Sequence, residues 1–295
     1  MPENQKIKVL KRPDWLKIRL QTGDEYRQTK SLLNQQRLST VCEEARCPNI
    51  YECWGRKTAT IMILGATCTR ACGFCSVKTG RPGHLDEAEP YRTAIAVKDM
   101  GLKHVVITSV DRDDLKDDFG ADIWALTIEM IHKQVPNCSV EVLTPDFQGH
   151  LPALAKVFGA KPEIFSHNVE CIQRISRLVR PQADWQRSKF VLAKSKEAGL
   201  ITKSGMMVGL GESDEEVLAL LEEMADLGID IFTIGQYLQP TKQHLPVNRF
   251  VHPDIFKMYQ VEGITMGLKV VESGPLVRSS YHADGQVNLL KRIET

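Results

Sequence analysis

From about residue 60 onward, short β-branched runs alternate with stretches of helical period, and that alternation restricts the fold more than any other feature of the chain. The runs fall at residues 60–64, 104–108, 139–143, 163–167, 202–208 and 230–234, with 269–272 as a further candidate. Between them, residues 123–134, 169–178, 186–198, 215–227 and 253–266 read as helices. Strand–helix–strand units of this kind pair their strands in parallel, the helix carrying the chain back to the starting end of the sheet. Six such units make either an open, partial barrel or a doubly wound sheet. Polar or glycine-rich loops follow almost every strand, at 65–75, 109–118, 144–149, 168–170, 209–214 and 235–239. A barrel builds its site from many loops at the carboxyl ends of its strands, whereas a doubly wound sheet gathers ligand groups at one switch point. The expected fold is therefore α/β, a partial (β/α)6 barrel over residues 59–272. Residues 1–58 form an N-terminal extension and 273–295 a C-terminal segment, both wrapping the barrel.

Six of the eight cysteines lie within 34 residues, in two triplets of different spacing. Cys42, Cys47 and Cys53 read C-x4-C-x5-C; Cys68, Cys72 and Cys75 read C-x3-C-x2-C and directly follow the first strand. Three thiolates on a short loop suit an iron–sulfur cluster with one iron left open for other chemistry. Zinc sites instead pair two C-x2-C-like knuckles or recruit histidine, and neither triplet does so. Disulfides need an oxidising compartment. Residues 1–6 have no apolar stretch of the signal-peptide kind, and no segment approaches the ~18 apolar residues of a membrane span. A cytoplasmic chain is expected, in which the Asn137-Cys138-Ser139 sequon carries no meaning. Cys138 and Cys171 fit neither triplet and read as small buried thiols.

The formal net charge of +1 gives no bulk field favouring nucleic acid or an anionic membrane, and neither partner is expected. The basic run Lys6, Lys8, Lys11, Arg12, Lys17, Arg19 reads as a solvated arm. The acidic loop at 111–118 fails as a calcium loop, because Leu115 takes a ligand position and the glycine and terminal glutamate are misplaced. A hydrogen-bonding loop at the barrel mouth is the better reading.

The octapeptide Cys68-Thr69-Arg70-Ala71-Cys72-Gly73-Phe74-Cys75 resembles the signature of the radical S-adenosylmethionine superfamily. The resemblance implies a [4Fe–4S] cluster on Cys68, Cys72 and Cys75 whose fourth iron is chelated by the cofactor, and one-electron cleavage of the sulfonium to a 5′-deoxyadenosyl radical. Phe74 would pack on the adenine. Asn168 and Glu170, after the fourth strand, would reach the ribose or amino group. Lys203 on the fifth strand would present a polar group to the interior, and Gly209 and Gly211 would allow close backbone approach.

The stretch from Cys42 through Arg56 then resembles the lipoyl synthase family, in which C-x4-C-x5-C binds a second, auxiliary cluster. The resemblance continues through residues 57–60, 108–115, 141–147, 166–170, 202–212, 235–240 and 277–281, about Arg12 to His282 in all. It implies two 4Fe–4S clusters and replacement of hydrogen by sulfur at C6 and C8 of a protein-bound octanoyl-lysyl group. The auxiliary cluster would be the sulfur source, and two S-adenosylmethionines would be consumed per lipoyl group. It further implies that Ser280, rather than Ser279, completes the ligands of the auxiliary cluster beside Cys42, Cys47 and Cys53. Arg278 would bind the substrate amide or stabilise the serine's charge. Implied partners are octanoylated carrier domains (E2 subunits and the glycine cleavage H protein) and a ferredoxin or flavodoxin as electron donor. The alternative is another sulfur-inserting radical enzyme, such as a methylthiotransferase, which would require a further substrate-binding module. A third class, an electron-transfer or zinc-stabilised scaffold protein, predicts a fourth thiolate at each site. One departure is local: where the family reads D-G-G-A, this chain reads Asp117-Asp118-Phe119-Gly120-Ala121, one residue longer and with Phe119 in place of glycine.

Overall fold

The structure, a computed structural model, describes residues 10–17, 23–45, 47–55, 60–280, 283, 285 and 286. The readings on Lys6, Lys8, Arg19, Arg56 and Tyr281 fall outside those residues.

The strands are β1 (Ser39–Thr40), β2 (Thr60–Ile63), β3 (Thr67–Cys68), β4 (Lys78–Thr79), β5 (His104–Ser109), β6 (Ser139–Leu143), β7 (Ile164–Ser166), β8 (Ile201–Val208), β9 (Ile231–Gln236) and β10 (Val270–Gly274). The helices are α1 (Asp24–Gln35), α2 (Val41–Glu44), α3 (Ile50–Gly55), α4 (Glu89–Asp99), α5 (Ala121–Gln134), α6 (Leu151–Gly159), α7 (Gln173–Val179), α8 (Trp185–Glu197), α9 (Asp214–Asp226) and α10 (Pro253–Thr265). The main sheet runs β1-β2-β5-β6-β7-β8-β9-β10. From β2 to β10 every neighbour is parallel and the spatial order follows the chain order. A doubly wound sheet would reverse that order at a switch point. Its absence here fits a barrel wall, left open because among the described residues β10 and the opposite edge do not pair.

Three expectations need amendment. The candidate strand at 269–272 is a full seventh parallel strand, β10, so the barrel has one strand more than six. The N-terminal extension also does more than wrap: β1 pairs antiparallel with β2 and adds an edge to the sheet. The helix read at 169–178 starts only at Gln173. Before it, Glu170 adopts a left-handed φ of 66°, donates its N–H to the Gly205 carbonyl and accepts from Met207 N–H, so this stretch continues the pairing with β8.

Strand periodicity decides which residues face the site. Along β5, Val105 and Ile107 join the apolar core beneath the helices, while His104, Val106 and Thr108 line a central cavity. Along β2, Ile61 and Ile63 face the core and Thr60 and Met62 the cavity. The same alternation turns Glu141 of β6 inward, where its Oε1 meets the Lys203 ammonium of β8 at 2.8 Å, both side chains fully buried. Because β7 separates β6 from β8, this pair spans the concave face. The Lys203 ammonium also donates to Gln286 Oε1 at 2.7 Å, so the C-terminal segment enters the concave face instead of only covering it. Among the described residues, no helix is long and apolar enough to cross a membrane.

Candidate active site

The first strand ends in a tight turn: Leu64 and Gly65 take φ of 67° and 85°, and the buried Glu89 carboxylate accepts from both backbone N–H groups, at 2.7 and 3.4 Å. β3 and β4 then pair and close the base of the 68–79 loop, with Gly80 N–H bonded to the Cys68 carbonyl. Inside it, Cys68 Sγ accepts from the N–H groups of Arg70 and Asp111, both at 3.4 Å. Backbone donors to a ligand sulfur are a standard means of tuning a cluster.

Arg70 is the residue that sequence reasoning missed in this loop. Its guanidinium makes a bidentate bond to Asp113 (2.7 and 2.8 Å), reaches Asp146 at 2.7 Å and lies 3.2 Å from Asp111. Arg187 and Gln148 complete the network, Arg187 bonding Asp146 and Gln148 bonding Asp113. The acidic loop is thus a hydrogen-bonding clamp on the cysteine loop. A lone arginine in a C-x3-C-x2-C run gives no signal of this kind; the acidic run at 111–118 was the available hint. Phe119 takes a left-handed φ of 55°, a conformation for which glycine is the default, and packs edge-to-face on His150.

Both triplets open on one cavity of about 530 Å³, lined by Cys42, Cys47 and Cys53 on one side and Cys68, Cys72 and Cys75 on another. Cys42 interacts electrostatically with Cys47, and Cys75 with Cys68 and Cys72. Burial pushes the Cys42 thiol up to about 12, Cys47 adding to it, and the Cys68 thiol up to about 11, Asp111 adding to it. Such thiols stay protonated at neutral pH until a metal displaces the proton. Among the described residues no three Cys, His, Asp or Glu side chains converge on a single metal ion.

Phe74, Asn168, Glu170, Arg278, Ser279 and Ser280 also line this cavity. Glu170 lies within Coulombic reach of Cys72 and Cys75 on one side and of Arg278 on the other. Burial raises its pKa, against the pull of Arg180 and a hydrogen bond from Asn168 Nδ2 at 3.0 Å. Arg180, unnoticed in the sequence, donates to the Asn168 carbonyl at 3.0 Å. Its buried Nε and the buried Asn168 Oδ1 have no hydrogen-bond partner among the described residues, so two polar atoms stand open to a ligand. The segment from Leu276 to Ser280 is held by tertiary bonds from three separate elements. Asn49 Nδ2 donates to the Leu276 carbonyl (2.7 Å), Thr60 Oγ1 to Ser280 Oγ (2.7 Å), and Asn168 Nδ2 to Ser279 Oγ (2.6 Å).

Three expected cofactor contacts are elsewhere. Lys203 does not line the cavity; its ammonium is consumed by Glu141 and Gln286. Gly209 and Gly211 do not line it either. The N–H groups of Gly209 and Leu210 bond to the Glu212 carboxylate at 2.6 and 2.9 Å, so the loop satisfies itself. A Cβ on Gly209, whose φ is 98°, would collide with Gln236 and the Arg249 carbonyl, which is the reason for glycine there.

Buried His167 supplies a stability test. Its ring bonds the Thr144 carbonyl (2.9 Å) and Ser188 Oγ (3.1 Å), and burial lowers its pKa from 6.5 to about 4. The unfolded chain therefore binds the proton first as pH falls, and stability present above 6.5 is lost between there and 4. Urea midpoints measured from pH 7.5 to 4.5 are expected to fall for the native chain and to fall less steeply for His167→Gln.

The radical S-adenosylmethionine superfamily model matches residues 62–235, and that of the N-terminal domain of lipoyl synthase matches residues 2–47. Lipoyl synthase of Rubrobacter xylanophilus is 54% identical over 95% of this chain and 88% of its own length. Lipoyl synthase of Flavobacterium johnsoniae is 50% identical over 94% and 96%, and the mitochondrial lipoyl synthase of Nematostella vectensis 49% identical over 94% and 95%.

The chain belongs to the lipoyl synthase family.

Among solved structures, methylornithine synthase superposes with a TM-score of 0.54 at 14% identity, covering 94% of this chain and 93% of that one. Streptococcus suis SuiB bound to S-adenosylmethionine superposes at 0.59 and 14%, covering 77% and 55%. At such identities the likeness is one of fold, and it agrees with the superfamily that the family model assigns to residues 62–235. Family membership makes the chain a radical S-adenosylmethionine sulfur-inserting enzyme, dependent on that cofactor and on an iron–sulfur cluster.

Proposed function

We propose that this lipoyl synthase holds two 4Fe–4S clusters in one cavity, one on Cys68, Cys72 and Cys75 and an auxiliary one on Cys42, Cys47, Cys53 and Ser280. Sulfur would be inserted at C6 and C8 of an octanoyl-lysyl group held between them. The observation that carries the reading is that both triplets and the 278–280 segment wall the same cavity. Soft thiolate donors, backbone N–H groups aimed at Cys68 Sγ and the orphaned polar atoms of Asn168 and Arg180 all suit the proposed groups. When bound, the first cluster with its cofactor supplies a hydrogen-abstracting carbon radical, and the auxiliary cluster supplies sulfur.

The protein's own contribution is placement. Asn168, Glu170 and Arg180 form part of the polar wall of the cavity that also holds Cys68, Cys72 and Cys75 and are the residues proposed to grip the cofactor, with Phe74 beside its adenine. Ser280 is favoured over Ser279 because Ser279 is engaged by Asn168, whereas Ser280 sits on Thr60, whose backbone N–H faces Cys42. Met62, Val106, Leu143 and Met206 give the cavity an apolar lining suited to an eight-carbon chain, and the burial of Met62, Val106 and Met206 helps to exclude water from a reactive intermediate. Arg278 lies within Coulombic reach of both Cys47 and Glu170, between the two sites, where it would orient the lysyl amide. The proposed substrates are octanoylated carrier domains such as E2 subunits and the glycine cleavage H protein, with a ferredoxin or flavodoxin as reductant.

Iron and labile sulfide in anaerobically loaded protein test the reading directly. About eight of each per chain are expected, halved when either triplet is changed to alanine. With S-adenosylmethionine, reductant and an octanoyl-lysyl peptide, the native chain should yield lipoyl peptide. The Cys42, Cys47, Cys53 variant should yield 5′-deoxyadenosine but no sulfur-bearing product. Four irons held by Cys68, Cys72 and Cys75 alone would reject the two-cluster reading.

A further inference from the structure

We propose that Thr60 is a positioning residue for the auxiliary site, holding the Ser280 oxygen in place for iron and setting how readily that iron is released. The inference rests on the reading of Ser280 as a ligand. Thr60 opens β2, is 3% exposed and lines the cavity. Its backbone N–H faces the Cys42 sulfur, and its Oγ1 donates to Ser280 Oγ at 2.7 Å. One residue therefore bonds one proposed donor, Ser280, 220 positions away in the chain, and lies beside a second, Cys42, on the wall of the same cavity.

The physical argument concerns both orientation and charge. A serine side chain has three staggered wells, and a hydrogen bond from a buried neighbour selects one of them. Oxygen bound to iron carries more negative charge than a free hydroxyl, so it accepts a stronger, charge-assisted hydrogen bond. Partners of this outer kind typically hold 10–100-fold of a site's metal affinity. Serine is also a harder donor than thiolate and a weaker match for iron in a sulfide cluster. The Thr60 hydroxyl therefore acts on the weakest of the four ligands. A sulfur source must stay whole until substrate arrives and then come apart, and this hydrogen bond sets that balance. Ser279 has no equivalent donor from β2, being engaged by Asn168 instead.

The test follows iron captured by an external chelator from the full chain with both clusters loaded, S-adenosylmethionine being present to occupy the open iron of the first cluster. Thr60→Val keeps the shape and the backbone N–H but lacks the hydroxyl; Thr60→Ser keeps the hydroxyl. Iron release is expected to be about tenfold faster in Thr60→Val and to return to the native rate in Thr60→Ser. Adding Thr60→Val to Ser280→Ala should bring no further acceleration, a non-additivity that a general packing role would not produce. Thr60→Ala serves for the same comparison should the valine variant fail to load its clusters. Acceleration by Thr60→Val of equal size with and without the Ser280 hydroxyl would overturn the proposal. So would an unchanged rate in Thr60→Val when Ser280→Ala alone is fast, and in that case the ligand reading would survive. An unchanged rate in Ser280→Ala would remove both.

Discussion

Replacing Arg70 by methionine is expected to lower stability by about 3–5 kcal/mol, the usual cost of removing one partner from a buried ion pair. The Arg70 side chain is 5% exposed and that of Asp146 not at all, so water cannot take over the lost bonds. Asp113 would keep Gln148, and Asp146 would keep Arg187, but Asp111 would lose its nearest cation. For a domain of this size the midpoint of thermal unfolding should drop by on the order of 10 °C. Iron on Cys68, Cys72 and Cys75 should be lost before iron at the auxiliary site, because Arg70 lies between Cys68 and Cys72 and its N–H bonds to Cys68 Sγ. Arg70→Lys should fall between, since a lysine keeps the charge without the two-pronged bond to Asp113. Calorimetry with iron analysis of each variant checks this. An unchanged midpoint would mean that Arg187 and Gln148 hold the acidic cluster unaided.

Gly235→Ala is expected to cut sulfur insertion about a hundredfold while sparing the fold. A Cβ at this position of β9 would fall inside contact distance of the Val277 carbonyl and 3.0 Å from Arg278 Nη1. Backbone cannot yield as a side-chain tip can, so the 277–280 segment must lift away, carrying Arg278 and Ser280 with it. Displacing reactive groups by about 1 Å commonly costs roughly a hundredfold in rate. Lipoyl-peptide formation, followed by mass spectrometry, should fall by about that factor. Cleavage of S-adenosylmethionine to 5′-deoxyadenosine should persist, because Cys68, Cys72 and Cys75 lie outside the displaced segment. Equal loss of both products would place the damage at Cys68, Cys72 and Cys75 instead, and full activity would mean the segment is not needed where it lies.

The two variants mark the boundary between what is readable in the chain and what is not. The strands at residues 104–108 and 139–143 match β5 and β6 to within a residue, because period-two burial and β-branching act over a few residues. The site is different. Phe74, Asn168, Glu170, Arg278 and Ser280 share the cavity as the motifs imply, but Lys203, Gly209 and Gly211 do not. A lysine pointing inward from a strand looks the same in sequence whether it meets a cofactor or a carboxylate. Glu141, 62 positions away, decided the matter. The two loop glycines likewise look like a close-approach site until Glu212 is seen to cap the loop's amides.

The sequence by itself determined the two cysteine triplets, the run of strand–helix units and the family, because spacing and period are properties of neighbouring residues. Only the tertiary structure decided that Arg70 is clamped by three aspartates, that Thr60 meets Ser280, and that Gly235 makes room for the segment carrying Arg278. Each of those is a contact between residues tens to hundreds of positions apart, and it exists because winding the strands into a barrel wall brings their carboxyl ends around one cavity.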